Sequence, residues 1–379
     1  MAKVSVIVPV YNVEPYLEEA LRSLVRQTLR DIEIVVVNDG STDNSLGIIR
    51  RFMEKDDRII LIDKENGGYG KAMNVGLDRA SGEYIGILEP DDYVSLDMYE
   101  DLYETAHAED LDMVKADFYR FMTDDKSGNV TMYYNHLDKS GEHYNQVLDP
   151  SADPSLTTFI MNTWSGIYRK SFLDAHNIRH HETPGAAFQD NGFFWQTFVY
   201  AKRAMFIDRP YYRNRRDNPN SSVNSKEKVY CMNREYDYIR ELLMYAEDKT
   251  IWDRFKGYYN MKRYHNYIFT AGRIAPEFLK EYLDRISREF RTADSKGELD
   301  LTLFSVRTRT KLQTLMRSPE EYYQKYGKED LAKKDMDPNV RRRKEIEEST
   351  TYKVGKIVMA VPIAVKDKVD EFRKQAKKH

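Results

Sequence analysis

A chain of 379 residues is long enough for two or three domains, and its 41% hydrophobic and 12% aromatic content suffices to bury sizeable cores. With 59 Lys and Arg against 62 Asp and Glu the net charge is −3, which excludes a protein held mainly by nucleic-acid phosphates. The single cysteine, Cys231, excludes a disulfide-stapled module and fits a reducing, cytoplasmic setting.

After Met1, Ala2 and Lys3 comes VSVIVPV, too short for a signal-peptide core and without a cleavage site, so it reads as a buried strand. From there to about residue 116, short β-branched runs alternate with longer amphipathic stretches, the pattern of an α/β fold with a mainly parallel sheet flanked by helices. The predicted strands are Val4 to Val10, Glu33 to Asn38, Arg58 to Ile62, Glu83 to Leu88 and Met113 to Ala116. Leu17, Ala20, Leu21, Leu24 and Val25 mark one helix, and Ile48, Ile49 and Phe52 a second after the start signal Ser41-Thr42-Asp43. Residues 120 to 160 dissolve into polar, turn-rich text that suggests hairpins or a surface insertion. Helical period returns over 190–201, Ala204 to Ile207 read as a strand, and Arg213 to Ser225 as a loop.

A boundary falls near 226, giving a first domain over 1–225 and a mostly helical C-terminal region over 226–340. Tyr238, Leu242, Tyr245, Tyr259 and Tyr267 supply its apolar faces and read as packing residues. The last segment, 341–379, holds 12 Lys or Arg against 6 Asp or Glu, a net +6 that leaves −9 on the rest. Its stripe of Val354, Ile357, Val358, Val361, Val365 and Val369 beside lysines fits either a basic amphipathic surface for an anionic membrane or a terminal helix packed on the protein. Its apolar run Ile357 to Val365 is about half the length that spans a bilayer.

In an open α/β sheet, ligands bind beyond the carboxyl ends of the strands, and here three such ends carry polar clusters. Pro9 and Tyr11 beside Asn12 can shape a slot for a flat base; Asp39 can accept from a base or ribose, or serve as a turn residue. Glu89, Asp91 and Asp92, three carboxylates within four residues, either meet a divalent cation or cap the following helix. Mg²⁺ and Mn²⁺ favour such oxygen ligands together with phosphate. NGGYGKAMN is neither a P-loop nor a dinucleotide fingerprint, but feeds a helix near Lys71 and suits close backbone approach by a nucleotide.

Together VSVIVPVYNVEPYLEEALRSLVRQT, IEIVVVNDGSTDNS, NGGYGKAMNVGLDRASGEYIGILEPDDYV and FQDNGFFWQTF resemble the family 2 glycosyltransferases with the GT-A fold, over about residues 3–225. The resemblance implies an inverting, metal-dependent transferase using a nucleotide-sugar, commonly UDP-linked. Pro9, Tyr11, Asn12 and Asp39 would hold the nucleoside, Asp91 with Asp92 the ribose and metal, and Asp190 would be the general base, although its helix-start context also fits an N-cap. Arg213, Arg215 or Arg216 and Ser221 or Ser222 would lie in a loop closing over the diphosphate. The chain departs from the pattern at Glu89, where Asp is usual, at Gln189, where Glu is usual, and at Met73, where many relatives carry Arg; Lys71 could compensate for the last. The acceptor would be a saccharide or lipid-linked saccharide, in cell-surface polysaccharide or glycolipid synthesis at the cytosolic leaflet. A nucleotidyltransferase and a noncatalytic scaffold are the alternatives.

Overall fold

The computed structural model describes residues 2–124, 128–221 and 225–327. The basic segment 341–379 and Ser222 therefore lie outside the described residues. Four strands run parallel in the order β3, β2, β1, β4: β1 is Val4–Val10, β2 Ile32–Asp39, β3 Ile59–Lys64 and β4 Tyr84–Ile87. Every residue of β1 and β2 is buried, as continuous apolar strands covered on both faces require. Between them pack α1 (Glu14–Val25), α2 (Ser45–Met53) and α3 (Tyr69–Arg79).

Beyond β4 the sheet becomes mixed. Its remaining strands are β5 (Tyr93–Val94), β6 (Met113–Thr123), β7 (Val130–Asn135), β8 (Gly166–Arg169) and β9 (Ala204–Arg215). β8 lies antiparallel between β4 and β6, and β9 runs parallel to β6 and pairs antiparallel with β5 through Tyr212 and Arg213 on its other edge. β7 folds back on β6, so the polar stretch after 120 opens as a hairpin. The segment predicted as a loop from Arg213 begins inside β9, which is longer than its apolar start suggests. A register shift opposite Ala116 and Phe118 skips residues 208–211, and this bulge accommodates Pro210 without costing the sheet a strand.

The chain then turns to helices: α4 (Met98–Ala108) and α5 (Lys170–Ala175) precede α6 (Asp190–Tyr200), and α7 (Cys231–Met244), α8 (Ile251–Ala271), α9 (Pro276–Ser295), α10 (Val306–Arg317) and α11 (Pro319–Tyr322) follow. Helix α6 is buried on nearly every side, and one continuous cluster of buried side chains joins the sheet to α7–α11. Tyr259 and Tyr267 fill that core, but on α7 the buried face is Met232, Tyr236, Ile239 and Leu243. Tyr245 is 76% exposed and Tyr238 stacks on His181 instead. Among the described residues no helix is long and apolar enough to cross a membrane.

Candidate active site

The strand order reverses between β1 and β4, because β2 and β3 step to one side and β4 to the other. β4 is paired with β1 only as far as Ile7 opposite Ile87, so the last three residues of β1 border an opening. A crevice at that position is what the topology of an open α/β sheet provides. There lies a cavity of about 730 Å³, within the range of ligand pockets.

Its wall draws on widely separated parts of the chain. Pro9 and Tyr11 come from the end of β1, Asp39 from the end of β2, and Glu89, Asp91 and Asp92 from the turn after β4. Asp190 enters from the start of α6, and Ser221 from the loop after β9. Asn12, Lys71 and Arg213 do not line it. Asn12, at φ 50°, instead organises the neighbouring loop by accepting from the Thr42 and Asp43 amides at 2.7 and 3.4 Å. Arg213 packs over the Tyr119 ring and donates to the Pro210 carbonyl, while Arg215 and Arg216 reach the cavity.

Asp39 is tied down by the backbone. Its carboxylate accepts from the Gly67 and Gly68 amides, each at 2.9 Å, and pairs with Lys64. This fixes the glycine-rich turn: Gly68 adopts φ 90°, and a Cβ there would come within 2.7 Å of the Thr183 carbonyl. At Gly70 a Cβ would run into the His181 carbonyl. NGGYG is therefore written for close approach between the start of α3 and the 181–185 segment.

The three acids after β4 have different surroundings. Asp92 is fully buried, and its two oxygens take the Tyr212 hydroxyl at 2.9 Å, the Asn214 amide at 3.0 Å and the Arg215 backbone N–H at 2.6 Å. It anchors β9 to the turn. Asp91 accepts from the Asn218 amide through Oδ2 at 2.8 Å, and Arg215 braces its backbone carbonyl. Glu89 accepts from the Tyr69 hydroxyl at 2.7 Å. Burial pushes its carboxyl up to about 8 against the pull of that bond, with the charges of Asp91 and Asp190 adding to the rise. Burial likewise raises Asp91 and Asp190 above the ordinary carboxylate range.

Among the described residues no three His, Cys, Asp or Glu side chains converge as a ready metal cage. A diphosphate-bound Mg²⁺ or Mn²⁺ requires only one or two carboxylates. Asp91, which lines the cavity with one oxygen engaged by Asn218, fits that demand; Asp92, with both oxygens engaged, is poorly placed to add to it.

The first turn of α6 follows a strained approach, since Phe188 stands at φ 69°. Gln189 compensates. Its side chain accepts from the Ala187 amide and donates to the Thr183 hydroxyl and Gly185 carbonyl, donations that a glutamate in its place could not make. Asn191 donates to Asp190 Oδ1 at 3.0 Å. Met161, Trp164, Phe188 and Lys228 complete the wall, and nothing in the sequence marks them, because isolated residues between elements carry no spacing signal.

The family profile for glycosyl transferase family 2 matches residues 5–174. The uncharacterized glycosyltransferase EpsJ of Bacillus subtilis is 36% identical over 225 residues, 58% of this chain and 62% of its own length, so the match spans less than two thirds of that relative. Glycosyltransferase GlyG of Streptococcus pneumoniae is 33% identical over 219 residues, 56% of this chain and 70% of that protein. In fold, the crystal structure of S. aureus TarS 1-349 in complex with UDP-GlcNAc is similar with a TM-score of 0.62 at 19% identity, covering 84% of this chain and 89% of that one. The strand-end crevice, the match over β1 to α5 and the similarity to GlyG together identify the chain as a member of glycosyl transferase family 2, with the GT-A fold.

Proposed function

We propose that the protein is an inverting glycosyltransferase that moves a sugar from a nucleotide-sugar to an acceptor hydroxyl. The observation that carries this reading is that Asp91 and Asp190, 99 positions apart, line one cavity with Pro9, Tyr11 and Asp39 from the β1 and β2 ends. A UDP-linked donor is the first to test, because the TarS fold neighbour was solved with UDP-GlcNAc.

On this reading Pro9 and Tyr11 flank the base and Asp39 holds the turn that closes the nucleoside end. The residues present fit a divalent ion held by Asp91 and the donor diphosphate; when bound, it would offset the negative charge that the leaving group gains. Asp190 takes the proton of the acceptor hydroxyl as that oxygen attacks the anomeric carbon and the bond to the diphosphate breaks. Burial raises the proton affinity of Asp190, which makes it the stronger base once ionised. A single displacement inverts the anomeric configuration. Residues 1–225 would carry this chemistry, 226–340 would support it, and the basic segment 341–379 would bring the protein to an anionic membrane surface where a lipid-linked saccharide is met.

Incubation with a panel of nucleotide-sugars tests the reading. Release of a free nucleoside diphosphate, with inversion at the sugar, is the expected result. Release of pyrophosphate from a nucleoside triphosphate would instead indicate a nucleotidyltransferase, and no turnover with any donor would favour a scaffold.

A further inference from the structure

The start of α6 is held from outside the strand-end crevice, by two side chains of the helical region. Glu235 on α7 has a carboxylate only 2% exposed. One of its oxygens accepts from the Gly192 amide in the first turn of α6 at 2.9 Å, and the other pairs with His181 Nδ1 at 2.9 Å. The two helices approach so closely that a Cβ on Gly192 would lie 2.5 Å from Glu235 Oε1. The second contact is a relay. Asn266 on α8 donates to the Asn191 side-chain oxygen Oδ1 at 3.1 Å and to the Tyr236 hydroxyl at 2.8 Å. Asn191 in turn donates from its amide nitrogen to the Phe188 carbonyl and to Asp190 Oδ1, each at 3.0 Å.

A buried carboxylate is costly unless its partners are well placed. Here it is spent on a helix N-terminus, where negative charge is favoured, at an amide two residues beyond Asp190 in the same turn. The relay fixes the other variable, because the amide that steers Asp190 is itself oriented by Asn266. We propose that Glu235 and Asn266 are positioning residues: they hold the first turn of α6, and with it the Asp190 carboxylate, in the orientation that proton transfer uses. This rests on the reading of Asp190 as the base. It gives α7 and α8 a part in turnover although neither holds the nucleotide end of the cavity.

The test compares E235A, E235Q, N266A and D190N in the full chain. Folding is followed by far-UV circular dichroism, UDP affinity by calorimetry, and kcat and KM by hydrolysis of whichever UDP-sugar the unaltered protein turns over. E235A and N266A are expected to bind UDP as the unaltered protein does, with KM unchanged and kcat about 10- to 100-fold lower, the scale of a displaced catalytic group. E235Q is expected to recover most of kcat, since its amide can still accept from Gly192 and face His181. Unchanged kcat in folded E235A and N266A would overturn the proposal, as would a loss confined to KM or to melting temperature. If E235A does not fold, N266A decides alone, because it cuts the relay and leaves the Glu235 contacts with Gly192 and His181 in place. D190N separates the two claims: full turnover in D190N removes the base itself, whereas an inactive D190N beside fully active E235A and N266A leaves the base standing and removes the positioning role.

Discussion

Replacing Asp39 with alanine should cost far more stability than a surface carboxylate would. The substitution leaves the buried Gly68 amide without an acceptor, the half-buried Gly67 amide dependent on water, and the Lys64 side chain, 17% exposed, without its carboxylate and with only the Glu65 carbonyl to donate to. A buried orphaned donor costs about 1–3 kcal/mol and the other two about 1 kcal/mol each, so the sum is roughly 3–5 kcal/mol. Asp39→Asn keeps a carbonyl acceptor and should lose about half as much. Urea denaturation followed by circular dichroism reads the change as a fall in midpoint at constant slope. The same variants should bind UDP more weakly, because the turn carrying Gly67 and Gly68 forms one side of the cavity. An Asp39→Ala protein within about 1 kcal/mol of the parent would show that these amides do not depend on Asp39, since a surface substitution does no more.

Asp190→Asn should retain UDP binding and lose about 10²-fold or more in transfer, as measured by product formation under saturating donor. Because burial raises the Asp190 carboxyl and only its ionised form accepts a proton, turnover should climb with pH through a value above the ordinary carboxylate range; a flat profile from pH 4 to 8 would contradict this. Chelation should weaken UDP binding in the parent but change little in Asp91→Asn, whereas Asp92→Asn should act chiefly on the melting temperature by loosening β9. Lys115 is buried against Asn162 and Tyr168, and burial lowers its ammonium to about 7. The unfolded chain therefore binds that proton more tightly, so the Lys115 contribution to stability is greatest above about pH 10.4 and is lost as pH falls towards 7. Denaturation series at pH 7 and 9 should show this rise in the parent and a smaller one in Lys115→Met.

What could be read from the sequence was local. Continuous β-branched runs gave β1 and β2, and the residues just past their ends gave Pro9, Tyr11 and Asp39 as cavity residues, because strand ends are set by short-range pattern. FQDNGFFW likewise marked the start of α6. The parts that escaped depend on distant partners. Asp92 looks like a second metal ligand until Tyr212, Asn214 and Arg215 arrive from more than 100 residues away to occupy it. β9 runs on through Pro210 and into Arg215 because a bulge against β6 absorbs what reads as loop composition. On α7 the aromatic residues mislead: Tyr238 and Tyr245 have helical spacing, but the core lies on the face of Tyr236 and Ile239. Glu235 and Asn266 belong to no motif, and only their contacts with the first turn of α6 give them meaning.

On the proposed function, Asp91 and Asp190 serve one nucleotide-sugar from two sides of its reacting bond. A crystal structure of the protein with UDP-GlcNAc and Mn²⁺ tests it most directly. The expected result is uracil at Pro9 and Tyr11, diphosphate and metal at Asp91, and the anomeric carbon facing Asp190 with room for an acceptor oxygen between them. Nucleotide bound elsewhere, or a sugar whose anomeric carbon is shielded from Asp190, would contradict it.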